Sequence, residues 1–373
     1  MSTLEDRKAA NNQGRVAPSD RASGHKPSAD TARLLKRLGL THVAIEGLSI
    51  RRLRRGRGFR YVVAGGTAIS RDETKRLASL AVPPAYEDVF YAADPSAHLQ
   101  AVGRDAAGRL QYRYHPDWQR VRETRKAGRL ARLAEVLPQI RRSIGRHLGL
   151  NEPTRAFVLS AIIELVARSG IRPGSEQYAR LRGTRGAATL LKSNVTVYGE
   201  TVHLRFRAKG GKQIEKEVHA PKLAAAIGVL QRLPGRRLFQ YRDNAGTLNA
   251  VTAQDVNRFL RDIAGVDISL KDFRTLLASV SVLEALACAE AATNRRARRR
   301  QVLDAIRAAA AELGNTPAIC GKSYVHETVV NAFEDGMLEQ FAEMLRSARS
   351  SNRREKVLAR VVAGTAADST QPS

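Results

Sequence analysis

The sequence predicts an α+β protein: a small β-rich N-terminal domain, then a larger, mainly α-helical domain containing a three-stranded β meander. Three observations predict it. Before Trp118, short runs rich in β-branched and aromatic residues alternate with glycine-containing turns. After Trp118, apolar residues recur at helical spacing. Inside that helical stretch, residues 194–218 revert to strand texture around Lys209-Gly-Gly-Lys212, a hairpin signal.

Residues 1–32 are polar, with scattered Gly, Pro and Ser, and are expected to form a disordered tail. The β-rich domain is expected over 33–120. Within it 59–63 reads as a strand running into Gly65-Gly66, and 99–104 should pair with 109–115 across a turn at 105–108. The helical domain is expected over 121–360, with helices at 122–148 and 156–169. Strands follow at 194–197, 202–208 and 213–218, then helices at 221–232, 253–264, 280–313 and from 317 onward. Thr252 and Asp255 have the spacing of a capping box. Thr316 and Pro317 fit an N-cap and first helical position. Residues 361–373 read as a second tail.

Composition narrows the function. Lys and Arg number 63 against 36 acids, a net charge of +27, which opposes compaction and calls for a polyanionic partner. Two cysteines, Cys288 and Cys320, are too few for a disulfide framework or a four-thiolate zinc site. The carboxylate clusters of metal-assisted phosphodiester chemistry are missing, and so is a GxxxxGK[ST] phosphate cradle. No apolar run reaches the ~18 residues of a membrane span, and the first residues lack the apolar stretch of a signal peptide. The expectation is a soluble, cytoplasmic, nucleoid-associated protein without metal or nucleotide cofactor.

Without a metal, fixed cations must neutralise charge at a phosphate. Arg172, in Gly170-Ile-Arg-Pro-Gly174, follows an apolar helix. Lys209 sits at a hairpin tip. Lys271 and Arg274 lie one turn apart at a helix start. Asn315 precedes the Thr-Pro helix start, and Tyr324 comes seven residues after Pro317. Singly, each is an ordinary surface charge, turn residue or packing tyrosine.

Together and in order, they resemble the bacterial and poxvirus type IB DNA topoisomerases over about residues 45–350. Arg55-Gly-Arg-Gly-Phe-Arg-Tyr61, Val82-Pro-Pro-Ala-Tyr-Glu-Asp-Val89, His98-Leu-Gln-Ala-Val-Gly-Arg-Asp105 and Gln111-Tyr-Arg-Tyr-His115 resemble the DNA-clamping domain of the bacterial branch. Leu238-Phe-Gln-Tyr241, Asp255-Val-Asn257, Lys271-Asp-Phe-Arg-Thr275, Leu313-Gly-Asn-Thr-Pro317 and Lys322-Ser-Tyr324 resemble its catalytic domain. The resemblance implies a catalytic set of Arg172, Lys209, Arg274, Asn315 and Tyr324. It further implies contacts to double-stranded DNA at Gln100, Arg104, Tyr112, Tyr178, Lys192 and Lys271.

In that reading Tyr324 attacks the scissile phosphate and Lys209 protonates the leaving 5′-oxygen, while Arg172, Arg274 and Asn315 hold the non-bridging oxygens. The product is a 3′-phosphotyrosyl link whose religation needs no ATP, and supercoils of either sign relax while the strand is open. The expected state is a monomer, one site cutting one strand. Tyrosine recombinases share this chemistry but usually carry His three residues before the second Arg, where this chain has Lys271. A basic DNA-binding protein with weak or no catalysis is the other alternative.

Overall fold

The computed structural model describes residues 27–63, 66–348 and 350–368. The chain divides into two compact units between Arg125 and Lys126.

In the first unit, α1 (Ala29–Arg37) starts where the Ser28 hydroxyl accepts the Thr31 amide. It buries Thr31 and Leu35. Its first turn thus lies inside the stretch expected to be tail; the portion of that stretch over 1–26 is outside the described residues. The strands are β1 (Ile50–Arg55) and β2 (Gly58–Val62), then, after α2 (Arg71–Ser79), β3 (Glu87–Tyr91), β4 (Leu99–Arg104) and β5 (Leu110–Tyr114). They form one antiparallel sheet in the order β2-β1-β3-β4-β5. The β4–β5 turn is built by Asp105, whose carboxylate accepts the amides of Ala107 and Arg109 at 3.0 and 2.9 Å, with Gly108 at φ 70°. Each sheet face has its own apolar cluster. Ile50, Leu77, Val89, Tyr91 and Ala101 form one, and Leu48, Ala92, Leu99 and Val102 belong to the other. The register shift between Leu99 and Ala101 accounts for Leu99 joining Val102 despite their odd separation.

The second unit is mainly helical. Helix α3 (Trp118–Gly149) carries the division point, and α4 (Arg155–Ser169) is buried along most of its length. After α5 (Glu176–Arg182) come the meander strands β6 (Val195–Tyr198), β7 (Thr201–Arg207) and β8 (Gln213–His219), paired antiparallel in that order. Helix α6 (Pro221–Gln231) leads to a small hairpin, β9 (Gln240–Arg242) and β10 (Leu248–Ala250). Then follow α7 (Ala253–Ala264), α8 (Leu270–Ala287), α9 (Arg295–Glu312), α10 (Pro317–Ser323), α11 (Glu327–Glu334), α12 (Ala342–Arg346) and α13 (Ser351–Asp368).

Two further boundaries differ from expectation. The single helix expected at 280–313 is two, because side chains close a loop between them. The Asn294 amide oxygen accepts Ala297 N–H at 2.8 Å, Gln301 bonds Ala292 N–H and Glu290 carbonyl, and Arg298 donates to Ala292 carbonyl. The expected tail from 361 is helical through Asp368, since Val357, Leu358, Val361 and Val362 bury one face of α13.

Candidate active site

Arg172 stands in a loop whose backbone leaves little freedom. Helix α4 ends at Gly170, in the left-handed region at φ 63°, where the next turn would otherwise continue. The Arg172 and Pro173 carbonyls then accept the amides of Ala187 and Ala188, each at 2.8 Å. This approach requires Gly186: a Cβ there would lie 2.5 Å from both the Arg172 carbonyl oxygen and the Gly174 nitrogen.

Helix α8 starts where the Asp272 carboxylate accepts both the Ser269 amide and hydroxyl, at 2.8 and 2.9 Å, and Asn257 accepts the Leu270 amide at 2.9 Å. Arg129 of α3 reaches Asp272 at 3.2 Å. One turn into α8, Arg274 is only 1 % exposed. It donates to the carbonyls of Gly170 and, at 3.3 Å, Leu313, the ends of α4 and α9. Its Nε has no hydrogen-bond partner among the described residues.

Asn315 follows Gly314, which turns the chain at φ 61°. The Asn315 amide oxygen accepts from the Arg172 guanidinium, and its buried Nδ2 has no partner among the described residues. Thr316 caps α10 by accepting the Ile319 amide, and α10 ends at Tyr324. The backbone there is fixed from three sides. The Tyr324 amide donates to Cys320, the Ser279 hydroxyl donates to the Tyr324 carbonyl at 3.2 Å, and Lys126 donates to the Val325 carbonyl at 2.8 Å.

The Tyr324 ring lies 4.8 Å from the Arg274 guanidinium carbon and 5.9 Å from the Lys271 ammonium. Burial, the largest single influence, favours the neutral phenol. The charge of Arg274, joined by the charges of Arg172 and Lys271, outweighs it and brings the Tyr324 pKa below its ordinary value of 10. Four expected residues therefore share one place, and two buried donors there, Arg274 Nε and Asn315 Nδ2, lack acceptors among the described residues. A phosphate oxygen would supply them.

Lys209 is exposed at the β7–β8 turn, where Gly210 and Gly211 take φ 79° and 77°, and among the described residues its side chain makes no hydrogen bond or ion pair. The other DNA-contact candidates divide. Tyr178 is 41 % exposed, with Arg182 over its ring at 5.6 Å. Arg104 lies 3.6 Å from Asp88, and Tyr112 stacks on Tyr114. Gln100 is turned inward, donating to the Pro95 and Ala97 carbonyls and accepting from Arg76. The Lys192 ammonium is held by the Leu233 carbonyl. Sequence reading missed Ser279, Lys126 and Arg129, which support the site only through partners 45 to 199 residues away in the chain. Among the described residues, no group of three or more His, Cys, Asp or Glu is placed to hold a metal ion, and no helix is long and apolar enough to cross a membrane.

Residues 115–351 match the family profile of the eukaryotic DNA topoisomerase I catalytic core, and residues 58–105 that of the bacterial DNA topoisomerase IB N-terminal domain. DNA topoisomerase 1B of Acanthamoeba polyphaga mimivirus is 27% identical to this chain over 282 residues, 74% of this chain and 84% of the relative. The catalytic-core match spans more than half of the chain and contains the whole cluster around Tyr324, so the protein belongs to the type IB DNA topoisomerases.

Proposed function

We propose that the protein relaxes positive and negative supercoils in duplex DNA by cutting and resealing one strand through Tyr324, without ATP or metal. The Tyr324 oxygen attacks the scissile phosphorus in line, forming a 3′-phosphotyrosyl bond as the bond to the 5′-oxygen breaks. The phenol proton leaves to solvent, and Lys209 gives a proton to the departing 5′-oxygen. Arg172, Arg274 and Asn315 hold the non-bridging oxygens as negative charge builds. One phosphodiester replaces another, so religation is the same reaction reversed. The N-terminal unit supplies further duplex contacts, and the enzyme works as a monomer on chromosomal DNA in the cytoplasm.

The observation that carries this reading is Arg274 packed over Tyr324 beside unpartnered donors. Lys209 stands on an exposed turn, which suits a group brought to the leaving oxygen once DNA is bound. The test is relaxation of supercoiled plasmid in EDTA without ATP by wild type and Tyr324→Phe. Relaxation by wild type alone is expected. Relaxation by both proteins would remove Tyr324 as the nucleophile, and salt-sensitive DNA binding without any relaxation would leave only a binding protein.

A further inference from the structure

Strand β8 alternates between solvent and interior, with Gln213, Glu215, Glu217 and His219 outside and Ile214, Lys216 and Val218 inside. Lys216 thus puts an ammonium where the pattern calls for an apolar side chain. Its Nζ donates to the carbonyl of Ser169, the last residue of α4, at 2.6 Å. The next carbonyl, that of Gly170, receives Arg274. A helix C-terminus is the favoured end for a cation. Burial, helped by the charge of Arg274, nevertheless pulls the Lys216 pKa down against the attraction of Glu312. A methionine of similar length would avoid that penalty.

The same inner face also meets the Asn315 turn, since a Cβ on Gly314 would lie 2.7 Å from Ile214 Cδ1. Lys216 lies three residues along β8 from its start beside the Lys209 turn, roughly 10 Å of strand rise.

We propose that Lys216 is a positioning residue that ties the Lys209 hairpin to the end of α4, placing Lys209 at the 5′-oxygen of a phosphate held by Arg172 and Arg274. The tether fixes where the hairpin root stands, while the turn itself stays exposed. Arg172 has its own anchorage in the Ala187 and Ala188 amides, so losing Lys216 removes proton delivery and leaves phosphate binding. The inference rests on Lys209 as the proton donor.

The test uses duplex DNA with one scissile 5′-bridging oxygen replaced by sulfur, beside the ordinary duplex. A thiolate, whose conjugate thiol has a pKa of about 8.5, leaves without protonation, whereas the far more basic alkoxide does not. Single-turnover cleavage by Lys216→Met is expected to slow at least 10-fold on the ordinary linkage and to stay within about 2-fold of wild type on the sulfur linkage. Lys209→Ala should show the same pattern, and Lys216→Arg should recover most of the ordinary rate. Equal slowing of Lys216→Met on both linkages, or on neither, overturns the tether. If Lys209→Ala gains nothing from sulfur, the proton-donor assignment fails and the tether with it. If Lys209→Ala recovers and Lys216→Met does not, only the tether fails. Unaltered duplex binding by Lys216→Met establishes that the variant is folded.

Discussion

The guanidinium of Arg274 faces the ring of Tyr324 at 4.8 Å while its two terminal nitrogens are committed to the carbonyls of Gly170 and Leu313. A side chain anchored at two helix ends cannot swing away, so its charge acts on the phenol continuously. Because the folded pKa of Tyr324 lies below 10, the phenolate fraction at neutral pH exceeds that of a free tyrosine. Removing Arg274 must therefore shift the ionisation upward. Arg274→Gln is expected to lower cleavage at pH 7 by about 10²–10³, from lost transition-state stabilisation. It should also move the ascending limb of the pH–rate profile, where Tyr324 ionises, to higher pH. An unmoved limb would mean that Arg274 acts on the phosphate alone.

Asn315 gives its amide oxygen to Arg172 and keeps a buried, unpartnered Nδ2. Asn315→Ala removes one donor to the phosphate and is expected to cost about 10² in cleavage rate. Asn315→Asp keeps the acceptor for Arg172 but puts a carboxylate where negative charge develops, and it opposes ionisation of Tyr324. Cleavage should therefore be slower in Asn315→Asp than in Asn315→Ala. The reverse order in single-turnover assays would show that Asn315 serves only to orient Arg172.

The parts of the molecule legible in the sequence are those whose cause is local. The Asp105 turn, the Lys209-Gly-Gly-Lys212 hairpin and the Thr252–Asp255 capping box each complete their hydrogen bonds within a few residues. The β9–β10 hairpin carried the same Asp-x-x-Gly turn, with Asp243 accepting the amides of Ala245 and Thr247, but its three-residue strands show no alternation to detect. Long-range partners were not legible. Gln100 and Lys192, expected as DNA contacts, are engaged by Arg76 and the Leu233 carbonyl, 24 and 41 residues away. Arg274 shows the opposite case: a charged residue expected at the surface of a basic protein lies buried, because two helix ends offer it carbonyls.

Gly186 is a positioning element that no chemistry would identify. Its φ is extended and any residue could adopt it, so the requirement comes from the space alone. A methyl group would meet backbone atoms of Arg172 and Gly174, which cannot rotate aside. Gly186→Ala should push the Arg172 loop away from 186–188 and break the bonds to Ala187 and Ala188. The expected result is at least a 10-fold loss of cleavage and a destabilisation of about 1–3 kcal/mol. Gly183→Ala, at φ 63° with open space around it, controls for backbone strain. If Gly186→Ala cleaves as fast as Gly183→Ala, the zipped loop does not set the position of Arg172.

Acid should weaken both units at pH values where carboxylate pairs such as Asp105, with a pKa of about 2, stay ionised. His98 and His326 are buried, and burial pulls both down to a pKa of about 4. Each uses Nδ1 as an acceptor, His98 for the Val43 amide and His326 for the Thr328 amide at the start of α11. Protonation would replace that acceptor with a donor. The unfolded chain takes these protons near pH 6.5, so between about 6.5 and 4 it binds more protons than the folded one. Stability therefore falls as pH drops through this window and levels off below it, by on the order of 3 kcal/mol per histidine at most. Urea titrations at pH 7 and pH 5 measure the loss. Asparagine offers an acceptor that does not titrate, so His98→Asn and His326→Asn should flatten the pH dependence, each in its own unit. A double variant as acid-sensitive as wild type would move the cause to other groups.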